Sequence, residues 1–156
     1  MRDLFQIFHT LINASSQGRF EAALMQTPLA FAVLHSHPLG FKVARISNGN
    51  VHLRIHLWSG RSTDQAGFEV HNHSFDLKSH VVEGKIRRVI YAAHEGPSGD
   101  RSIYQVAYEE GHSILRKTAI VVRLKKLRQE IHPAGTTYSV PAGALHETAR
   151  HECEAR

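Results

Sequence analysis

Apolar residues recur at helical spacing near the start of the chain and at alternating positions through most of the rest. Residues 3–12 place them on one helical stripe, and the polar run 15–18 ends that helix. Residues 19–26 predict a second short helix, which Pro28 stops. We therefore expect residues 1–28 to form a helical segment packed on the remainder.

From residue 29 onward the apolar positions follow a period of two, which is typical of strands. Short strands are predicted at residues 31–34, 41–46, 51–58, 67–74, 78–83, 85–93, 102–108, 112–115, 119–125 and 137–140. Many short strands with frequent turns indicate an antiparallel sandwich or barrel. The sequence thus predicts an all-β domain over residues 29–156, in a chain that forms a single domain overall.

Length and composition fit a soluble globular enzyme or binding protein. The chain has 156 residues, of which 42% are hydrophobic and 21% charged, and no apolar stretch reaches membrane-spanning length. The N-terminus lacks an apolar leader, and Cys153 is the single cysteine, which fits a reducing compartment. We expect a cytoplasmic protein with no membrane partner.

The formal net charge is +5, and much of it lies in the run 116–128. Such a run indicates either a nucleic-acid surface or a solvated strand that resists edge pairing. No aromatic residues interleave with these charges, as binding to single strands would require. We therefore favour the solvated strand and expect no nucleic-acid partner.

Histidine is the compositional anomaly, with 13 copies in the chain. His71 and His73 lie two apart on the predicted strand 67–74, so that both imidazoles would point to one side. His146 follows a Pro-x-Gly turn some seventy residues later. Three neutral imidazoles converging on one point would bind a divalent metal ion and leave coordination positions open.

These histidines lie in two motifs that resemble those of the cupins, small jelly-roll barrels. The first motif is His71-x-His73 with a Gly84 hairpin after it. The second motif, G-x5-P-x-G-x2-H, is matched by Gly135, Pro141, Gly143 and His146. The resemblance covers roughly residues 51–148 and implies a cupin-type jelly-roll barrel on which the short N-terminal helices pack.

The chain departs from the cupin pattern where the usual glutamate ligand would stand, because Leu77 occupies that place. Three histidines without a carboxylate leave the charge of the metal uncompensated, which favours an anionic, chelating substrate. Three-histidine cupins of this kind resemble thiol dioxygenases and related iron oxygenases. The resemblance implies Fe(II) as the cofactor, dioxygen as cosubstrate, and a homodimer as one possible assembly.

The strand before the first motif carries candidate substrate contacts. Arg54, His56 and Trp58 alternate with apolar residues, so they share one face. That face either is solvated or lines a pocket. In a pocket, Arg54 would bind a substrate carboxylate or phosphate with Trp58 beside it, and His56 would act in acid–base chemistry or support a ligand.

Four further residues have more than one interpretation. Tyr138 either places a phenol near the metal or packs in the core. Asp76 is a turn acid, a fourth metal ligand or an acceptor for a ligand imidazole. His35 and His37 form a second His-x-His pair, but they run into a turn at residues 38–40, so we expect a turn pair and no metal.

Three functions are compatible with this pattern. The first is an Fe(II) dioxygenase acting on a small anionic metabolite, with His56 or Tyr138 moving a proton. The second is an isomerase or lyase that uses Zn, Mn or Ni as a Lewis acid on the same ligands. The third is a non-catalytic binding module, for which no attached DNA-binding segment is visible in the sequence.

Overall fold

The fold is mostly β, as predicted. A computed structural model of the protein describes residues 3–37, 39–58, 68–109 and 112–151. About half of these residues lie in strands. The strands are β1 (Leu34–Ser36), β2 (Lys42–Asn48), β3 (Val51–Leu57), β4 (Leu77–His80), β5 (Lys85–Glu95), β6 (Arg101–Glu109), β7 (His112–Pro133), β8 (Thr137–Val140) and β9 (His146–Arg150). They are preceded by helices α1 (Leu4–Ser16) and α2 (Phe20–Leu24) and by a 3-10 helix, Pro28–Phe31.

Every strand pair in the described residues is antiparallel. The strands form three sheets, in the orders β1-β2-β3, β4-β8 and β6-β7-β5-β9. A single antiparallel bridge between His71 and His146 connects the segment before β4 to the edge strand β9. This bridge fixes the position of the predicted metal ligands within the fold.

Helix α1 packs on the first sheet, as predicted for the N-terminal segment. Asp3 caps the helix by accepting a hydrogen bond from the Phe5 N–H at 3.0 Å. The shared core contains Leu4, Ile7, Leu11, Leu29, Ala44 and Leu53. Leu53 of β3 therefore faces the helix, and the alternation along β3 turns Arg54 and His56 to the opposite side.

The predicted strand at residues 31–34 is wrong. The chain instead forms the 3-10 helix Pro28–Phe31, and β1 begins at Leu34. Pro28 occupies the first turn of that helix, where its fixed φ suits helical backbone and its missing N–H costs nothing. Local proline geometry outweighs the apolar run that predicted a strand.

The predicted strand at residues 67–74 is also wrong for the part that is described, residues 68–74. His71 makes one isolated bridge, in which its N–H and C=O both bond His146 at 2.9 Å. The His73 carbonyl accepts from the Gly143 N–H at 2.8 Å. The segment thus docks on β9 and on the turn before it, and strand alternation does not explain why the two histidines converge.

The predicted strands at residues 112–115 and 119–125 are one long strand, β7. It pairs with β6 over its first half and with β5 over its second, and a bulge interrupts each pairing. The basic run 116–128 lies within β7 and is mostly exposed.

None of the helices in the described part of the chain is long and apolar enough to cross a membrane.

Candidate metal centre

The three predicted ligands come together in the structure. Nitrogen atoms of His71, His73 and His146 all lie within 4.8 Å of one another. Their ring centroids are 5.0 Å apart for the first two residues, and 4.6 and 5.2 Å from His146. His146 is buried, whereas the other two are half-buried, so the cluster is open on one side.

Backbone pairing positions the buried ligand. His146 begins β9, where it lies opposite Ile90 of β5. The Tyr91 N–H donates to the Leu145 carbonyl at 3.0 Å, which anchors the residue before it. Because the bridge to His71 uses the other edge of β9, one short strand holds two of the three ligands in register.

Two of the ligand rings have a fixed tautomer. His71 Nδ1 lies 2.9 Å from the Glu69 carbonyl, and His146 Nδ1 lies 3.0 Å from the Ala144 carbonyl. A carbonyl oxygen only accepts, so both Nδ1 atoms must carry the proton. Each ring therefore presents the lone pair of Nε2, which is the form that binds a metal ion.

His73 and His146 have lowered pKa values. Burial is the largest of the causes that lower the pKa of His73 to about 4, and His71, His146 and Arg54 contribute to the same shift. Burial also lowers the pKa of His146, although its bond to the Ala144 carbonyl opposes the shift. Neutral imidazoles at physiological pH need not release a proton before they coordinate a cation.

Asp76 connects the segment that follows His73 to the turn that precedes His146. It does not belong to the ligand group, which in the described residues consists of the three histidines. Its carboxylate accepts a hydrogen bond from the Ala142 N–H at 2.9 Å. Ala142 lies in the Pro-x-Gly turn that leads into His146. Of the roles predicted for Asp76, the structure places it as an acid that fastens this turn.

Replacing Asp76 with Ala is expected to weaken metal binding about tenfold, because the turn before His146 loses its anchor. Asn at the same position keeps an oxygen acceptor for the Ala142 N–H and should retain most of the affinity. Titration with Co(II), followed by absorption spectroscopy, measures both. Equal losses in the two variants would instead point to the charge of Asp76 and against its role as acceptor.

Arg54 lies beside the triad, on the side of β3 opposite the helix. Its guanidinium carbon is 5.6 Å from the centre of the Phe75 ring, and that ring is 5.1 Å from His73. The charge of Arg54 contributes to the lowered pKa of His73. The structure thus brings this predicted substrate contact to the candidate metal centre.

The other two predicted residues, His56 of β3 and Trp58 just beyond its end, lie against one aromatic ring. Phe41 lies 4.6 Å from His56 and 4.5 Å from Trp58, measured between ring centroids. The pKa of His56 is lowered to about 4, mainly by burial and in smaller part by the charges of Arg54 and His37. His56 is therefore a neutral base near pH 7, and part of its surface remains open to solvent.

Tyr138 belongs to a different cluster. Its ring stacks on His132 with 4.1 Å between centroids, and the guanidinium carbon of Arg88 lies 4.8 Å from its centre. Burial raises the pKa of the phenol, while a hydrogen bond with Ser79 and the charge of Arg88 oppose the shift. These contacts are those of core packing, the second of the two predicted roles.

Three residues near the centre were not assigned to it from the sequence: His37, Phe41 and Phe75. His37 follows β1 in the turn to β2, as predicted for the second His-x-His pair, yet its ring stacks on Phe41 at 4.2 Å. The prediction of a turn pair is wrong for His35, which lies in β1 and is exposed. The second His-x-His pair indicates that a further histidine could lie near the centre. Only the fold of the β1–β2 hairpin shows that this histidine is His37 and not His35.

Comparison of the chain with family models, with curated proteins and with solved structures finds no match in any of the three. The chemistry of the centre is thus inferred from its own residues. Three imidazoles, one guanidinium and the ring of Phe75 describe a site suited to a divalent cation with an anionic ligand beside it.

Proposed function

We propose that this protein is a metal-dependent oxygenase that holds one Fe(II) ion on His71, His73 and His146 and oxidises a small anionic metabolite with dioxygen. The observation that carries the proposal is the convergence of three ring nitrogens within 4.8 Å, two of them with Nε2 lone pairs presented by backbone contacts. Imidazole donors with open positions suit Fe(II) and other divalent transition metals.

The residues present fit such an ion. Each ligand is uncharged, and the described ligand group has no carboxylate, so the dication would keep its full charge. Arg54 adds a further positive charge nearby. An anionic substrate would be stabilised by both positive charges.

Several residues of the chain would have separate roles around the bound ion. When bound, the Fe(II) ion supplies one-electron chemistry and open positions at which a substrate and dioxygen can meet. Arg54 would bind a carboxylate with its planar fork and fix the orientation of the substrate. His56, neutral at pH 7, would accept the proton that the substrate gives up, and Phe41 and Phe75 would exclude water from one side.

A cupin-type jelly-roll barrel is the finer fold that we propose with this function. Support comes from the antiparallel sheets, from β8 pairing with β4 just before the Pro-x-Gly turn, and from the bridge that joins the segment of His71 and His73 to His146 at the start of β9.

A Lewis-acid isomerase or lyase is a second candidate, because the neutral His56 beside Arg54 also suits proton abstraction from a bound carboxylate substrate.

Oxygen uptake separates the two candidates. Protein loaded anaerobically with Fe(II) and supplied with a panel of small carboxylates should consume dioxygen with at least one of them. Turnover without uptake, with Zn, Mn or Ni in the site, would replace the oxygenase by the Lewis-acid enzyme.

Once a substrate is found, Arg54→Met is expected to raise its KM about tenfold or more, because a charge-assisted contact to the substrate anion is lost. Arg45→Met is the matched control for positive charge. Arg45 is the β2 residue that pairs with Arg54 across the β2–β3 register, so it lies on the same face of the sheet, and it is exposed. Steady-state kinetics on both variants measures the effect. An equal rise in KM for the two would mean that general positive charge, and no specific contact, attracts the substrate.

A further inference from the structure

His37 differs from the metal ligands in which ring nitrogen carries the proton. The Leu39 N–H donates to His37 Nδ1 at 3.2 Å. An amide N–H only donates, so this Nδ1 must be the unprotonated nitrogen. In the neutral ring the proton is then on Nε2, which is the reverse of the tautomer that His71 and His146 adopt at their carbonyl contacts.

The His37 ring is held in a narrow turn. The backbone N–H of His37 donates to the Phe41 carbonyl at 2.7 Å, and the backbone carbonyl of His37 accepts from the Gly40 N–H at 2.9 Å. Gly40 has a φ of 83°, a left-handed conformation that favours glycine. The imidazole lies nearly parallel to the Phe41 ring, with 9° between the planes. Backbone and stacking together fix both the position and the tautomer of His37.

The surroundings of His37 are those of the metal centre. Its pKa is lowered by burial first, and then by the charges of His71 and Arg54. The ring therefore remains neutral near pH 7 and keeps its Nε2–H. Phe41, on which it stacks, also contacts His56, which shares one face of β3 with Arg54. The Arg54 guanidinium lies over Phe75, whose ring contacts His73 of the triad.

We propose that His37 donates a hydrogen bond from Nε2–H to the anion that binds at the open side of the His71, His73 and His146 triad. This inference rests on the proposed metal centre. His37 would act as a hydrogen-bond donor and not as a metal ligand. Its Nδ1 accepts from the Leu39 N–H, and its Nε2 carries a proton and has no free lone pair. Together with Arg54 it would select ligands that have an anionic acceptor atom next to the metal.

The first experiment measures the tautomers directly in metal-free protein. Nitrogen-15 NMR of the imidazoles is expected to show His37 protonated at Nε2, and His71 and His146 protonated at Nδ1. A His37 ring protonated at Nδ1 would overturn the inference, because no donor would then remain at Nε2. This result does not depend on any metal being bound.

The second experiment uses azide as the anion and Co(II) as the metal, with absorption spectra as the readout. His37→Phe keeps a flat ring for the stack on Phe41 but removes the donor. Its Co(II) affinity should stay within about twofold of wild type, and its azide affinity should fall about fivefold to tenfold, as expected for one hydrogen bond to a charged group. His37→Asn, which restores an N–H donor, should recover part of the azide affinity.

His35→Phe is the matched control, because the residue is exposed in β1 and belongs to the same His-x-His pair. Its azide and Co(II) affinities should equal those of wild type. Unchanged azide binding in His37→Phe would overturn the inference, and so would a large loss of Co(II), which would make His37 a ligand. Wild-type protein that binds no Co(II) would instead refute the proposed metal centre, on which the inference depends.

Discussion

Replacing His73 with Ala is expected to reduce bound metal below about a tenth of the wild-type content. The triad has three ligands and no carboxylate among the described residues, so removing one leaves two neutral donors for a dication. The effect should exceed that of Asp76→Ala, because Asp76 lies outside the ligand group. Elemental analysis of protein loaded anaerobically with Fe(II) and then desalted measures it.

His35→Ala provides the matched control for this prediction. The residue is also the member of a His-x-His pair, but it is exposed and outside the ligand group. Its metal content should equal that of wild type. Full occupancy in His73→Ala, or loss of metal in His35→Ala, would show that the wrong histidines have been assigned.

Replacing Arg88 with Ala is expected to destabilise the fold by about 3 kcal/mol, as removal of one partner from a buried ion pair does. The Arg88 side chain is 6% exposed. Its Nε donates to Glu130 at 3.0 Å and its Nη1 to the Ser139 carbonyl at 2.8 Å. Without the guanidinium, the Ser139 carbonyl would lose this donor and Tyr138 would lose the cation over its ring. Glu130, whose other partners are Arg128 and His132, would lose its most buried one.

Arg87→Ala, at the next position of β5, is the control for this second prediction. Arg87 pairs with Glu147 at 2.6 Å, but its side chain is 32% exposed, so a loss of about 1 kcal/mol or less is expected. Urea unfolding followed by far-ultraviolet circular dichroism compares the two variants. Equal losses would mean that burial of the Arg88 pair contributes nothing beyond a surface ion pair.

Much of the fold follows from local sequence patterns. The helical stripe predicts α1 and its packing on the first sheet, because Ile7 and Leu11 need an apolar partner, which Leu53 supplies. Alternation in β3 also predicts that Arg54 lies opposite that core. The predicted strand at 137–140 has the bounds of β8. These features depend on periodicity within one segment, which the sequence displays directly.

The spacing of the two motifs predicts the histidine triad, but the predicted strand alternation does not align it. The segment of His71 and His73 forms only an isolated bridge to His146. The alignment comes from pairing between distant segments, including Gly143 with the His73 carbonyl. Spacing can indicate that such segments meet, whereas it cannot show the hydrogen bonds that hold them.

The features that the sequence could not reveal are those that depend on single long-range contacts. Arg88 lies in a strand with several basic residues, and only its pairing with Glu130 distinguishes it as buried. His37 differs from His35 through a bond from the Leu39 N–H to its ring. Tyr138 could face the metal or the core, and the position of Arg88 and His132 decides between them.

The most direct test of the metal centre is a crystal structure of the Fe(II)-loaded protein with data collected on both sides of the iron absorption edge. A single anomalous peak bonded to the Nε2 atoms of His71, His73 and His146 is the predicted result. Iron found on other residues, or three imidazoles turned away from one another with no ion between them, would contradict it.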